Sequence, residues 1–246
     1  MAAGELDFCL TSVHHYLTAL GQMGEVAARF VAIVVQRSPL AAFVASDDAS
    51  VWTPADLAGR RLGGAPDRPH MLEFLATLDH LGLDRPEVAP MEGGDTNDAL
   101  ARGELDLVVG FVDEAPRLRR QTGIALRAIP VGLDIYASGL LAGDAVAPET
   151  VAGVRAALIA SLERQRLDPR AGLVELRRRY PKTDPDEALE GWALVEPLIF
   201  TGAEPGSMDP QTWERTVSFL CKARGLAPVE PASLYRSEFA GVLQRG

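Results

Sequence analysis

Small residues follow Leu62 in the segment 62–66. Their backbone N–H groups can come close to a ligand because little side chain is in the way. The segment reads Leu62-Gly63-Gly64-Ala65-Pro66 and continues into Asp67 and Arg68. An ordinary turn between a strand and a helix favours the same residues, so both interpretations stand. Arg68 is a candidate for binding a sulfonate or carboxylate, although no pair of arginines clearly forms a clamp.

Hydroxyl and imidazole groups follow a second apolar run, Phe8-Cys9-Leu10. Thr11 and Ser12 can hydrogen-bond a ligand, but the N-cap of the following helix requires the same residue types. His14 and His15 are adjacent, so on a helix their side chains point about 100° apart and cannot chelate one metal ion. A single His14 can face a ligand, with an exposed helix histidine as the alternative.

Aromatic and acidic residues supply the remaining candidates. Phe111 and Tyr136 can stack on a flat ring, with packing in the core as the alternative. Neighbouring carboxylates can orient the nitrogens of such a ring. The complete set of candidate ligand-binding residues is Thr11, Ser12, His14, Gly64, Ala65, Pro66, Asp67, Asp95, Thr96, Asn97, Gly110, Phe111, Glu114, Asp134 and Tyr136.

Two arginine clusters, at 117–120 and at 177–179, are interpreted as solvated helix faces. We find no nucleophile elbow, no phosphate loop of Walker spacing and no metal-binding box. We therefore expect no catalytic residue, no metal and no cofactor.

The overall charge restricts the partners. The 246 residues carry a formal net charge of -10, and an acidic surface works against binding to phosphate backbones or anionic lipid. Nucleic acid is therefore not an expected partner. The two cysteines, Cys9 and Cys221, lie in apolar runs without metal-type spacing and are predicted to be buried, inert thiols.

Hydrophobic periodicity, together with proline, glycine and acidic boundary residues, predicts the elements that hold these candidates. Strands are expected over 29–36, 40–46, 61–64, 88–91 and 135–141. Helices are expected over 13–20, 69–81, 96–102 and 114–122, and a helical tail over 148–166, 169–178, 184–194 and 210–224. The first of these helices is expected to end at Gly21, and the tail to pack on the first lobe.

The sequence Gly-Glu-Leu-Asp occurs twice, at 4–7 and at 103–106, each time before an apolar strand. Two copies predict two lobes in which the helices and strands are connected in a similar order. A strand-helix-strand-helix segment precedes the second copy but not the first. We therefore expect the true N-terminus to lie upstream and the first lobe to lack its leading elements, with a naturally shortened lobe as the alternative. An exposed sheet edge would then favour self-association.

These elements predict an α/β fold of two lobes with parallel-rich sheets flanked by helices and a helical C-terminal tail. Lobe one is expected to comprise residues 1–59 and 129–246, and lobe two residues 60–128. The chain would cross between the lobes twice, after Gly59 and at Ile129-Pro130-Val131-Gly132. A ligand is expected to contact Ser12, Ala65, Asp95, Phe111 and Tyr136 rather than the arginine clusters.

The order of several short motifs resembles the periplasmic-type solute-binding proteins of the sulfonate/nitrate/taurine and thiamine-pyrimidine class. The motifs are Gly-Glu-Leu-Asp-Phe at 4–8, Thr-Pro-Ala-Asp-Leu-Ala-Gly-Arg-Arg-Leu-Gly-Gly at 53–64, Asp-Ala-Leu-Ala-Arg-Gly-Glu-Leu-Asp at 98–106, Gly-Ser-Met-Asp-Pro-Gln-Thr-Trp at 206–213, and Tyr235 with Phe239. The last two are closer to the thiamine-pyrimidine branch, which includes pyrimidine synthases. The resemblance implies a type II periplasmic-binding-protein fold and covers essentially the whole chain.

The resemblance implies the substrate-binding component of an ABC-type importer, which delivers a small organic ligand to a membrane permease and ATPase. A thiamine-pyrimidine precursor, a similar heteroaromatic or an alkyl sulfonate would be the ligand. The location would be periplasmic or extracytoplasmic if the full-length form carries a signal peptide. The alternatives are an enzyme on the same scaffold, such as a pyrimidine synthase, decarboxylase or dehydratase, and a truncated, non-functional remnant. Two isolated cysteines argue against the synthases, which are described as having a cysteine-rich iron-binding stretch.

Overall fold

The computed structural model describes residues 6–240, apart from 49, 92 and 203. The chain divides into two compact units, and each is formed by more than one segment. Unit 1 contains the residues up to 38, those of 134–181 and those from 196 on, whereas unit 2 contains 39–133 and 182–195.

Eight strands lie within the described residues. They are β1 (Phe8–Ser12), β2 (Ala28–Val35), β3 (Leu40–Ala45), β4 (Arg61–Gly63), β5 (Glu87–Ala89), β6 (Leu107–Phe111), β7 (Leu126–Pro130) and β8 (Ser138–Gly143).

Eight α-helices lie within the same part of the chain, and all but three begin with proline, which suits the first helical turn because it lacks an N–H. They are α1 (Val13–Met23), α2 (Pro69–His80), α3 (Gly93–Ala101), α4 (Ala115–Thr122), α5 (Pro148–Leu167), α6 (Pro169–Arg179), α7 (Pro185–Ile199) and α8 (Pro210–Arg224).

Unit 1 is built on a three-stranded antiparallel sheet with β8 between β1 and β2. Helix α5 covers this sheet, where Val151 packs in a cluster with Val31 and Leu140. A second cluster forms around Trp213 of α8, whose ring centroid lies 5.2 Å from that of Phe30 and 5.4 Å from that of Tyr235. Helix α8 is thereby fixed to β2 and to the C-terminal segment.

Unit 2 is built on a five-stranded sheet in the order β5-β4-β6-β3-β7. Strand β4 is parallel to β5 and β6, whereas β3 is antiparallel to β6 and β7. Apolar side chains of β3, β4, β6 and α2, including Leu40, Leu62, Leu107 and Phe74, form one buried core. The parallel part of the sheet places the ends of β4 and β6 at the same edge.

The α/β architecture with helices flanking the sheets and a helical tail is confirmed. The sheets contain less parallel pairing than expected, since two of the six pairings between named strands are parallel. Strand β7 was not predicted, because residues 129–130 were expected to lie in the segment that crosses between the lobes. It lies at a sheet edge, where the missing N–H of Pro130 costs no ladder hydrogen bond.

The boundaries of the units differ from the expected ones. The first lies after residue 38 rather than 59, because β3 pairs with β6 and β7. The second lies after 133 rather than 128. The tail does not pack on unit 1 alone, because 182–195 belongs to unit 2, so the chain passes between the units four times rather than twice.

The first part of α7 is fixed to unit 2 by charge. Arg120 of α4 forms an ion pair of 2.8 Å with Asp184 and another with Glu187, while Arg119 pairs with Glu190. Further along, the carbonyl of Leu198 accepts a hydrogen bond of 2.8 Å from an N–H of unit 1. One helix therefore contributes to both units.

One local expectation changes and another is confirmed. Helix α1 continues past Gly21 and ends at Gly24, whose φ of 76° is the left-handed conformation that glycine adopts most readily. Gly103 ends α3 with a φ of 71° before β6, as the second Gly-Glu-Leu-Asp copy predicts. In the first copy, Gly4 and Glu5 lie outside the described residues.

Among the described helices, none has both the length and the apolar character needed to span a bilayer.

Candidate functional site

A pocket of about 420 Å³ lies within unit 2, at the carboxyl ends of β4 and β6. Gly63 ends β4, and Phe111 ends β6, so the two loops that follow form neighbouring walls. The first turns of α2 and α3 and two residues of α4, Arg117 and Leu118, complete the lining. This edge of a parallel sheet is where α/β proteins commonly bind small molecules.

Glycine shapes the wall that follows β4. Gly64 has a φ of 148°, which side-chain-bearing residues rarely adopt, and a Cβ placed there would lie 2.5 Å from the Cε of Met71. Met71 is itself buried in the core of unit 2. The backbone at Gly64 therefore approaches α2 more closely than any other residue would allow.

The wall that follows β6 is organised by one carboxylate. Glu114 accepts a hydrogen bond of 3.0 Å from the backbone N–H of Phe111 and another of 2.5 Å from the guanidinium of Arg117. A Cβ at Gly110 would collide with this carboxylate, so glycine leaves the space that it occupies. Glu114 thereby holds both Arg117 and the end of β6 in place.

Polar groups from α3 form a third side of the pocket. Thr96 is buried, and the side-chain amide of Asn97 donates a hydrogen bond of 3.4 Å to the side-chain carbonyl of Gln121. Both residues lie in the first half of α3, whose N-terminal end is electropositive because the peptide dipoles align along the helix axis.

The charges lining the pocket are unequal. Arg68 and Arg117 contribute two positive charges, and Glu114 contributes one negative charge. Burial lowers the pKa of His70 below its ordinary value, the charge of Arg68 lowers it further, and Glu114 opposes the shift. His70 is therefore neutral at pH 7, and the lining is net positive. The His70 ring meets the Phe111 ring edge to face, with the ring centroids 6.5 Å apart.

The lowered pKa predicts an effect of acid on unit 2. Folded protein binds fewer protons at His70 than unfolded chain does, so its contribution to stability is complete above about pH 6.5 and is lost as the pH falls below that value. Proton NMR should show the His70 ring titrating below pH 6.5. With His70→Asn, the loss of stability between pH 6.5 and 5 should be smaller, and an equal loss would contradict this assignment.

Seven of the candidate residues meet at this pocket. They are Gly64, Ala65, Thr96, Asn97, Gly110, Phe111 and Glu114. Three further candidates are exposed and do not line the pocket: Pro66 and Asp67 of the loop after β4, and Asp95 in the first turn of α3.

The five candidates from 11–14 and 134–136 lie in unit 1 rather than at this pocket, and the structure gives four of them other contacts. Ser12 caps α1 and accepts a hydrogen bond of 3.0 Å from the backbone N–H of His15. Thr11, the residue before Ser12, is half-buried. Asp134 is exposed and pairs with Arg37 at 3.1 Å.

His14 and Tyr136 are corrected to buried residues of unit 1. His14 lies against the guanidinium of Arg224, so it is not an exposed helix histidine. The ring of Tyr136 packs 5.3 Å from that of Trp213, and its hydroxyl accepts a hydrogen bond of 2.6 Å from the backbone N–H of Asp209. Only 3% of Tyr136 is exposed, so its ring packs in the core of unit 1 rather than facing solvent.

Eight lining residues were not among the candidates: Phe43, Gly63, Arg68, His70, Val108, Val109, Arg117 and Leu118. Of these, Arg68 was considered for an anionic group but not selected. The signal for Arg117 was its spacing of three from Glu114, which places the two on one helix face. His70 was identifiable as the second residue of α2, next to the glycine-rich loop. Phe43 carried no signal, because its role depends on β3 pairing with β6.

The described residues contain no group of three or more His, Cys, Asp or Glu side chains that could hold a metal ion. Cys221 is a buried free thiol, and burial raises its pKa. Cys9 is also free but only half-buried, because β1 leaves it partly open to solvent.

Sequence comparison gives one match to a family. The NMT1/THI5-like family model matches residues 1–163, which is more than half of the chain. No curated protein matches the sequence significantly.

Several solved structures with the same fold are described as ligand-binding proteins. The ligand-binding component of an ABC-type import system from Staphylococcus aureus, with zinc bound, is 12% identical and has a TM-score of 0.66 over 97% of this chain and 81% of that one. The alkanesulfonate-binding protein from Xanthomonas axonopodis pv. citri, bound to MOPS, is 16% identical, with a TM-score of 0.63 over 98% and 82%. The periplasmic aliphatic sulphonate-binding protein from Escherichia coli is 14% identical, with a TM-score of 0.65 over 96% and 77%. The periplasmic-binding-protein-like fold is confirmed by these likenesses.

Proposed function

From the premise that this chain belongs to the NMT1/THI5-like family, we propose that it binds a small organic anion in the pocket of unit 2. In this proposal the protein is the substrate-binding component of an ABC-type importer. The observation that carries the proposal is the pair of arginines, Arg68 and Arg117, in a pocket with a single carboxylate.

The geometry favours an anionic group for a physical reason. A guanidinium group has donors in a planar fork that match a carboxylate or sulfonate, and such charge-assisted hydrogen bonds are stronger than neutral ones. Arg117 is already oriented by Glu114, so little side-chain entropy is lost when a ligand binds. The positive end of α3 adds to the same attraction.

The rest of the ligand would contact a ring. Phe111 is 39% exposed, which leaves part of its surface for an apolar or flat group, and His70 supports its edge. A volume of about 420 Å³ suits a small molecule rather than a peptide. An alkyl sulfonate with a short apolar tail fits both features, and a pyrimidine carrying an acidic group would be the heteroaromatic alternative.

The neighbours support a transport role and a location outside the cytoplasm. The Xanthomonas protein is described as binding alkanesulfonates and the E. coli protein as periplasmic. We propose the same kind of role for this chain, outside the cytoplasm and with a permease and ATPase as partners. Because the structural neighbours named above are described as binding components, binding is favoured over catalysis on the same scaffold.

Calorimetry with an alkanesulfonate, a carboxylate and a neutral aminopyrimidine tests the proposal. The anions should bind, and Arg117→Gln should weaken their binding roughly 10- to 100-fold, because a charged hydrogen bond contributes about 1.5–3 kcal/mol. The matched control is Arg102→Gln, since Arg102 also pairs with a nearby glutamate in unit 2 but lies outside the pocket.

The control should leave the affinity unchanged. Binding of the aminopyrimidine alone, with equal affinity in the Arg117 variant, would overturn the assignment of an anionic ligand. Equal losses in the two variants would show that the effect is one of overall charge and that the pocket is wrongly placed.

A further inference from the structure

Four large apolar side chains are exposed within 14 residues at the end of α5 and along α6. Leu167 is 87% exposed, Val174 67%, Tyr180 60% and Leu176 40%, and Leu167 is the most exposed large apolar side chain among the described residues. We call these four residues, with the arginines between them, the α5–α6 surface. A soluble domain usually covers such a concentration of apolar side chains.

The same surface is basic, although the protein as a whole is acidic. Residues 164–180 contain six arginines and two carboxylates, whereas the chain carries a net charge of -10. Arg178 pairs with Glu175 at 2.8 Å, and Arg166 pairs with Glu196 at 3.4 Å. Arg170, Arg177 and Arg179 form no ion pair with any residue that the structure describes.

Helical spacing places the apolar and basic side chains next to each other. Leu176 and Tyr180 are four residues apart and lie on one stripe of α6. Arg170, Val174 and Arg177 follow at spacings of four and three, so they form an adjoining stripe. The apolar groups and the positive charges therefore share a face, as they do in helices that lie at a membrane interface.

Beside this face runs a shallow groove between α5 and α6, which includes Val174, Leu176 and Tyr180. Gly172 allows the close approach of the two helices, because a Cβ there would overlap the side-chain amide of Gln165. The apolar side chains are thus presented by a fixed pair of helices rather than by a loop.

We propose that the α5–α6 surface binds the anionic surface of a lipid bilayer. The arginines pair with lipid phosphates while their aliphatic stems lie beside the apolar side chains, which enter the boundary between head groups and acyl chains. Charge complementarity selects this occupant: a second copy or another protein would need an acidic apolar partner face, whereas an anionic bilayer supplies both features at once. The α5–α6 surface belongs to unit 1, whereas the pocket belongs to unit 2.

Sedimentation of the full chain with lipid vesicles tests the proposal. The protein should bind vesicles of phosphatidylcholine with about one third phosphatidylglycerol, and bind vesicles of pure phosphatidylcholine at least tenfold less. Binding should weaken as salt is raised, because salt screens exposed charges. The double variant R170Q/R177Q should reduce partitioning roughly 25-fold, at about fivefold for each arginine.

A second variant separates the apolar contribution. L167S/V174S should also reduce partitioning at least tenfold, whereas the matched control L81S, at an exposed leucine in unit 2, should leave it unchanged. Circular dichroism should show each variant folded. Absence of vesicle binding, equal binding to neutral vesicles, or unchanged binding by both variants would overturn the proposal. Sedimentation without vesicles would identify self-association instead and would overturn it too.

Discussion

Replacing Trp213 with alanine is expected to lower the free energy of unfolding by about 3–5 kcal/mol, the range for removing a large aromatic side chain from a core. Trp213 is completely buried, and its ring contacts those of Phe30, Tyr136 and Tyr235. These rings belong to β2, the segment before β8 and the C-terminal segment, so the cavity would loosen three parts of unit 1. Urea unfolding followed by circular dichroism measures the loss.

Two further variants make this prediction specific. Trp213→Phe should cost much less than the alanine variant, because it keeps a ring in the cluster and removes an indole N–H that makes no hydrogen bond to the described residues. Trp52→Ala is the exposed control. That ring is 63% exposed and stacks on the guanidinium of Arg127, a contact that contributes about 0.5–1 kcal/mol. Equal losses for Trp213→Ala and Trp52→Ala would contradict the central role of the cluster.

Replacing Gly64 with valine is expected to destabilise unit 2 by roughly 2–6 kcal/mol and to abolish ligand binding. A β-branched residue at a φ of 148° is strained, at about 1–3 kcal/mol, and overpacking against Met71 adds a similar amount. The loop after β4 would have to move, and this loop carries one wall of the pocket. Urea unfolding and calorimetry with an alkanesulfonate measure the two effects.

Gly82 provides the matched control. It also has a positive φ, of 69°, but a Cβ there would meet nothing within 4 Å. Gly82→Ala should therefore cost only the conformational strain of about 1 kcal/mol and leave ligand binding intact. If Gly64→Val binds the ligand normally, the loop does not form the site.

The sequence specifies most helix boundaries because they depend on local chemistry. Helix α8 begins at Pro210 and ends before Gly225, as expected, since the proline suits the first turn and the glycine adopts a φ of 61°. The Asp209 side chain caps the same helix by accepting a hydrogen bond from the N–H of Thr212. Each of these signals acts within a few residues of the boundary.

The assignment of elements to units could not be read in the same way. Strand β3 has an apolar sequence that suits any buried strand, and only its pairing with β6 and β7 places it in unit 2. Similarly, α7 has no local feature that selects unit 2. Its acidic side chains have partners there because Arg119 and Arg120 happen to lie on the facing helix.

The candidate site was predictable as loops but not as individual side chains. The rule that ligands meet the carboxyl ends of parallel strands identified the loops after β4 and β6, including Gly64 and Phe111. Arg117 was interpreted as one of a solvated cluster with Arg119 and Arg120. Residues on a helix turn by about 100° each, so these three arginines face different surroundings: Arg117 lines the pocket, and the other two pair with α7.

The division of α7 between the units has a consequence for the order in which the protein folds during synthesis. When residue 133 leaves the ribosome, the five strands of unit 2 are present, but Asp184, Glu187 and Glu190 have not been made. Arg119 and Arg120 therefore stay exposed without their carboxylates while about 50 more residues are added, which takes several seconds at typical rates. Unit 1 waits longer still, because it also needs Trp213 and Tyr235, which are made about 80 and about 100 residues after residue 133. Neither unit can be completed as a nascent domain before synthesis of the other has begun.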